Sequence, residues 1–331
     1  MGLNAVQYHF SSPLQKKEEP RNLYAISGRR WFNASADYTF TYKNVFFFGE
    51  AALDKNNNTA VISGLLASLD PKVDVSLLYR NINEKYQSLC GNAFTENVLP
   101  GHESGWYAGL VIRPAMAWRL SAYADFFKFP WLKYRVDAPS QGQDYAVQLT
   151  CQPRRQWEIY GRYGSETKAI NAAHHNGEMN VVIPKSRENV RVHFSCQVNP
   201  VTVVRGRVEA VWYDKKGKAP EQGFLTFIEG SYKPFTTLSL KLRLQYFETD
   251  GYDSRIYAYE TDVLYSYSIP AFSDAGYRYY FNATYEVSKK WSVWMRWATT
   301  KYTNKETTFT GLAETAGSQR SEIKMQMRYT F

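Results

Sequence analysis

Leu238-Ser239-Leu240-Lys241-Leu242-Arg243-Leu244-Gln245-Tyr246 decides the fold. Apolar and polar residues alternate without a break, and successive side chains of an extended chain point to opposite faces. Three more stretches repeat the pattern. Val190, Val192, Phe194, Cys196 and Val198 oppose Arg191, His193, Ser195 and Gln197. Val204, Gly206, Val208, Ala210 and Trp212 oppose Arg205, Arg207 and Glu209. Ile323, Met325, Met327, Tyr329 and Phe331 oppose Lys324, Gln326, Arg328 and Thr330. A soluble strand averages about five or six residues, whereas a tilted membrane strand needs about 9–11. These runs have the second length.

Composition agrees. Aromatic residues make up 16% of the 331 positions, with 26 Tyr, 19 Phe and 9 Trp, and charged residues 21%. No stretch approaches the roughly 20 apolar residues of a spanning helix, and the apolar fraction is too high for disorder. A transmembrane β-barrel reconciles the two, because lipid-facing and lumen-facing residues cancel in any window. The net charge of +9, from 40 basic and 31 acidic residues, is compatible with nucleic acid, lipopolysaccharide or another anionic partner. Cys90, Cys151 and Cys196 suggest no disulfide framework. The opening Met1 to Phe10 has neither the basic nor the apolar region of a signal peptide.

Connections alternate in length. Short turns sit at Lys43-Asn44, Pro71-Lys72, Pro114 to Ala117, Pro153 to Gln156, Asn199-Pro200, Pro234 to Thr236 and Lys289-Lys290. Longer polar segments lie between them, as in barrels with tight periplasmic turns and long extracellular loops. Because the chain ends in a strand, parity makes 250–276 one long extracellular or lumen-folded loop, and 256–267 a non-spanning hairpin or inward-folded element within it. Spanning strands then start near Leu3, Phe32, Val45, Thr59, Val73, Trp106, Trp118, Asp144, Trp157, Glu188, Val201, Gly223, Leu238, Tyr277, Trp291 and Ser321. The expected fold is all-β: one antiparallel transmembrane barrel domain over 1–331, with about sixteen strands in this chain. Trp106, Trp118, Trp157, Trp212, Trp291 and Trp297, with Tyr232, Tyr277 and Tyr329, suit its interfacial girdles.

Alternation places Arg80, Arg113, Arg119, Arg162, Arg191, Arg205, Arg207, Arg243 and Arg296 on the lumen face. Carboxylates including Asp37, Glu50, Asp125, Glu209 and Glu260 share it. Two readings stand: a pore whose basic excess favours anions, and a lumen laced with ion pairs. The loop carrying Phe129, Trp131, Lys133, Tyr134 and Arg135 interleaves aromatics with cations. That suits stacking on single-stranded nucleic acid or a constriction packed into the lumen. Apolar loop residues seek burial, which favours the constriction.

No catalytic, metal or cofactor site is expected. A lipid-facing Ser–His pair is missing, since His193 and Ser195 fall on the lumen face. His174 and His175 alternate faces in an extended chain. Asp250 to Ser254 lacks the spacing of a calcium loop and reads as a turn. Tyr329 and the terminal Phe331, on an amphipathic strand, match the signal that such barrels present to the barrel assembly machinery.

Several stretches together resemble a group of outer-membrane barrels from Bacteroidota, the C-terminal barrel part of competence-protein-like helix-hairpin-helix proteins. They are Phe47 to Glu50, Ser68 to Val73, Asn92 to Asn97, Phe129 to Pro139 and Asp250 to Glu260; the last two are the most specific. The resemblance implies an outer-membrane location and a longer polypeptide, with a signal peptide, helix-hairpin-helix units and further strands upstream. The expected function is therefore a non-enzymatic passage or scaffold for a polymer or anionic solute, nucleic acid being one candidate. The alternatives are a structural barrel with a filled lumen and a rim enzyme acting on lipid or peptide. Expected partners are outer-membrane lipid and lipopolysaccharide, the assembly machinery, and other outer-membrane or periplasmic subunits.

Overall fold

The computed structural model describes residues 1–331 except 173–179, 218 and 309–313. Sixteen strands form one antiparallel sheet in sequence order. They are β1 (Gly2–Leu14), β2 (Gly28–Tyr42), β3 (Val45–Asp54), β4 (Thr59–Asp70), β5 (Val73–Ile82), β6 (Glu103–Ala115), β7 (Trp118–Phe129) and β8 (Ser140–Arg154). The series continues with β9 (Trp157–Asn171), β10 (Val182–Asn199), β11 (Thr202–Tyr213), β12 (Glu221–Phe235), β13 (Leu238–Thr249), β16 (Ala275–Glu286), β17 (Trp291–Tyr302) and β20 (Gln319–Tyr329). Two small hairpins stand outside it: β14 (Ile256–Tyr257) with β15 (Ala271–Phe272), and β18 (Thr307–Thr308) with β19 (Thr315–Ala316). Among the described residues no helix is long and apolar enough to cross a membrane, which says nothing about strands.

Strand number, order and alternating loop length agree with the periodicity. The start of β10 differs, at Val182 rather than near Glu188. A ladder can continue past the apolar band, where side chains no longer need to alternate, so periodicity underestimates such strands.

Burial is inverted relative to a soluble protein. On β13, Leu242 and Leu244 are 52% and 56% exposed, while Arg243 and Gln245 are 4% exposed. Val192 and Phe194 on β10, Ile228 on β12, and Met325 and Met327 on β20 are likewise exposed. Charge faces inward and aliphatic side chains face out, which is stable only where the outer medium is hydrocarbon. Glycine on the lipid face has a specific purpose at Gly206. Gly206 pairs with Phe194, whose ring lies where a Cβ on Gly206 would go, so it shields the bare backbone.

The described residues form two compact units. One comprises 1–115, 119–147 and 164–186; the other comprises 116–118, 148–163 and 187–331. In each, a long connection folds onto the polar face of its own strands. In the second unit, Ile256, Ala258 and Phe272 pack on Val211, Leu225, Phe227 and Phe247. In the first, Tyr86 packs on Ala60 and Ile82.

Candidate functional site: the charged polar face

Carboxylates from segment 250–274 reach cations on three strands of the second unit, β16, β17 and β20. Glu260 is fully buried. It accepts Arg278 Nε at 2.6 Å and Nη2 at 2.8 Å, and also Arg296 Nη2. Arg296, fully buried on β17, turns its Nη1 to Glu322 Oε1 at 2.5 Å. Asp262 accepts Lys324 Nζ at 2.7 Å. Burial pushes the Asp262 carboxyl up, but the Lys324 ammonium, the Val263 amide and Arg296 outweigh it and hold it below the usual range. Arg243 donates Nη1 to the carbonyl of Tyr259 at 2.7 Å, tying the same segment to β13. The segment turns at Asp250 to Ser254, pairs Ile256 with Phe272, and bridges Glu260 to Ser268.

Beside this anchor runs a basic strip over β10 to β13. Arg191, Arg205, Arg207, Lys241 and Arg243 meet two carboxylates there, Glu209 and Glu229. Glu209 takes Arg191 Nε and Nη2 at 3.0 and 2.9 Å, and Arg207 Nη2 at 2.5 Å. Glu229 takes Arg205 at 3.2 Å, Arg243 at 2.6 Å and the Tyr280 hydroxyl. The Nε of Arg207 is buried with no partner among the described residues. His193 stacks on Tyr160 at 5.1 Å and meets Phe227 edge-on at 6.4 Å.

In the first unit, Arg80 is fully buried and doubly paired. Its Nε meets Glu103 at 2.6 Å, and its Nη1 and Nη2 meet Asp125 at 2.9 and 3.0 Å. Glu103 also accepts the amides of Glu96 and Asn97, which holds segment 83–102 against the sheet. Arg113 pairs with Asp74 at 2.7 Å beside a short turn, where both are exposed. Arg119 is exposed at the start of β7, and Arg162 is half-buried on β9.

The aromatic loop is a tight turn closed by mutual backbone bonds between Lys133 and Val136. Phe129 and Val136 are buried. Trp131 lies 4.8 Å from the Tyr24 ring. Lys133 Nζ sits 3.1 Å above the Phe129 ring, and burial together with Lys168 pushes its ammonium down to about 8. Burial, then Lys133, holds the nearby His102 imidazole below its usual value. Tyr134 and Arg135 form the exposed tip, Tyr134 being 70% exposed. Burial of all the loop's aromatics therefore does not occur. Guanidinium groups of Arg21 and Arg135, 4.9 and 5.4 Å from the Tyr134 ring, offer it a contact that needs no burial.

Among the other candidates, Tyr329 stacks near Trp291 at 4.8 Å and Phe331 at 5.1 Å, and Phe331 is exposed. The girdle residues Trp106, Trp118, Trp157, Trp291, Trp297, Tyr232, Tyr277 and Tyr329 are exposed, whereas Trp212 is half-buried. The three cysteines are free thiols. No group of three or more His, Cys, Asp or Glu among the described residues is arranged to hold a metal ion. His174 and His175 lie outside the described residues. Sequence reasoning missed Tyr280, a buried phenol facing a buried carboxylate; only the cross-strand register places it there.

No family model matches this chain, and no curated protein sequence matches it. Solved structures do. The copper transporter OprC is similar over 82% of this chain and 53% of its own, at 10% identity and a TM-score of 0.52. OmpT, an outer membrane protein of Vibrio cholerae, is similar over 99% of this chain and 95% of its own, at 12% identity and 0.46. The outer membrane channel DcaP of Acinetobacter baumannii is similar over 99% and 98%, at 10% identity and 0.43. The likeness to OprC shows the fold alone, an antiparallel β-barrel.

Proposed function

We propose that this chain is a non-enzymatic outer-membrane barrel, one domain over 1–331, giving passage to an anionic solute or polymer. The basic strip on β10 to β13 is the surface the cargo meets. One observation carries the reading: five cations face two carboxylates there, and Arg207 keeps a buried donor unpaired. Elsewhere on the polar face, cations and carboxylates balance more evenly, as at Arg80 with Glu103 and Asp125. An excess of desolvated guanidinium groups favours anions in a water-filled passage. Phe129, Trp131, Lys133, Tyr134 and Arg135 would narrow it. The loop stretches resembling competence-protein-like barrels of Bacteroidota favour nucleic acid as the polymer. Tyr329 and Phe331 would engage the assembly machinery, and lipopolysaccharide the exposed outer loops.

Purified protein in planar bilayers tests this. A salt gradient should give a reversal potential of anion preference, and the double variant Arg205→Glu, Arg207→Glu should abolish or invert it. Cation preference in the parent chain refutes the proposal. A second reading rests on the pinned segments 83–102 and 250–274: a structural barrel whose lumen is filled. A silent bilayer would select it over passage.

A further inference from the structure

A cavity of about 250 Å³ lies in the first unit, between the polar face of β1 to β5 and the segment 86–100. Its floor follows from the register. Asn4 pairs with Ser35, Ser35 with Ala52, Ala52 with Ala60, and Ala60 with Ile82. Three short side chains, Ser35, Ala52 and Ala60, in one transverse row leave the space that an ordinary polar face would fill. The roof is fixed rather than draped. The carbonyl of Gln87 accepts Asn33 Nδ2 at 2.9 Å and Trp31 Nε1 at 3.1 Å, and its amide donates to Asp54 at 3.1 Å.

Two of its polar groups are acceptors without a partner. Asn33 is 7% exposed, and with its Nδ2 committed to Gln87 its Oδ1 is a buried acceptor with no partner. Glu50, exposed at the mouth, has no hydrogen bond or ion pair among the described residues. Its register partner Asp37 adds a second carboxylate. No Lys, Arg or His among the described residues lines the cavity. An anion meets no positive charge here, in contrast to the strip on β10 to β13.

Asn33 pairs with Asp54, four positions along β3 from Glu50, so the two acceptors arise roughly 14 Å apart at the backbone. They address opposite ends of one ligand. Burying an ammonium beside the amide of Asn33 would be costly, whereas a neutral donor there satisfies an orphan acceptor. We infer that this cavity binds a small elongated amine, its ammonium at Glu50, its apolar body over Ala52 and Ala60, and a neutral hydroxyl or amide N–H at Asn33.

Three probes titrated into the folded chain in detergent, read by saturation-transfer NMR, test each end. The probes are 5-aminopentan-1-ol, pentylamine and 1,5-pentanediol. The amino alcohol should bind at least fivefold tighter than either truncated probe. Glu50→Gln, at an exposed position, should weaken the amino alcohol about tenfold, to the level of the diol, and leave the diol unchanged. Ala52→Leu, checked for folding by circular dichroism, should abolish binding of all three by filling the floor. Equal binding of the three probes, or an amino alcohol indifferent to Glu50→Gln, overturns the assignment. So does undiminished binding to a folded Ala52→Leu chain.

Discussion

Leu242→Arg isolates the membrane face from every other source of instability. Leu242 projects outward from β13, 52% exposed, four positions from Leu238 at the short-turn end of the strand. At about 3.4 Å per residue and a tilt near 40°, it sits roughly 10 Å into an apolar band about 25 Å tall. Arginine that deep costs about 2–4 kcal/mol, against about 0–1 near the interface. A penalty of that size lowers the folded-to-unfolded ratio about 30- to 700-fold. Leu238→Arg, on the same face of the same strand, should therefore be nearly neutral. Folding into phosphatidylcholine vesicles across a urea series measures both. The adjacent Arg243→Leu should still insert, but it strips Glu229 of its shortest ion pair and Tyr259 of a donor. It should lower the unfolding midpoint and leave segment 250–274 open to protease. Equal penalties for Leu238→Arg and Leu242→Arg would refute the assignment of this face to lipid.

Glu260→Gln breaks a buried carboxylate–guanidinium cluster at Arg278 and Arg296 and should cost about 3–5 kcal/mol; limited proteolysis within 256–272 of the inserted chain reports it. Tyr280→Phe removes the hydroxyl that donates to Glu229 and should cost about 1.5–3 kcal/mol, read as a lower urea midpoint. Lys133 has its ammonium pushed down to about 8, below the roughly 10.4 of an unfolded lysine. The unfolded chain therefore binds the extra proton between those values, and stability should rise as pH climbs from about 8 to about 10.4. Lys133→Met should flatten that part of a urea-midpoint-against-pH profile.

The strands were legible because their signal is local. Each needs only its own alternation, and the parity of short and long connections then separates the spanning strands from 256–267. What lies on the polar face was legible only as a list of charges. Whether Arg80 meets Asp125 or Arg243 meets Glu229 depends on register between strands and on where a long segment folds back. Neither leaves a periodic trace. Glu260 shows the difficulty: it reads like any polar residue in a strand-like stretch, yet it joins β16 to β17. The cavity under 86–100 was hidden for the same reason. Ser35, Ala52 and Ala60 are unremarkable until pairing sets them in one row. Tyr134 went the other way, since Arg21 from a distant stretch, with the adjacent Arg135, removed the need to bury it.

The anchoring of segment 250–274 orders assembly in time. Its residues emerge directly after β13, yet their partners are Arg278 on β16, Arg296 on β17 and Lys324 on β20. Until the final strand is laid down, Asp262 has no ammonium to meet and Glu260 has only part of its cluster. Docking of this segment therefore falls into two stages: Ile256, Ala258 and Phe272 can settle on β11 to β13 at once, whereas the ion pairs close only when the sheet is complete on that side. A truncated or stalled chain would keep the apolar contacts and leave Glu260 and Asp262 short of their cations. Periplasmic proteases and chaperones could tell such a chain from a finished one by that half-docked stretch alone.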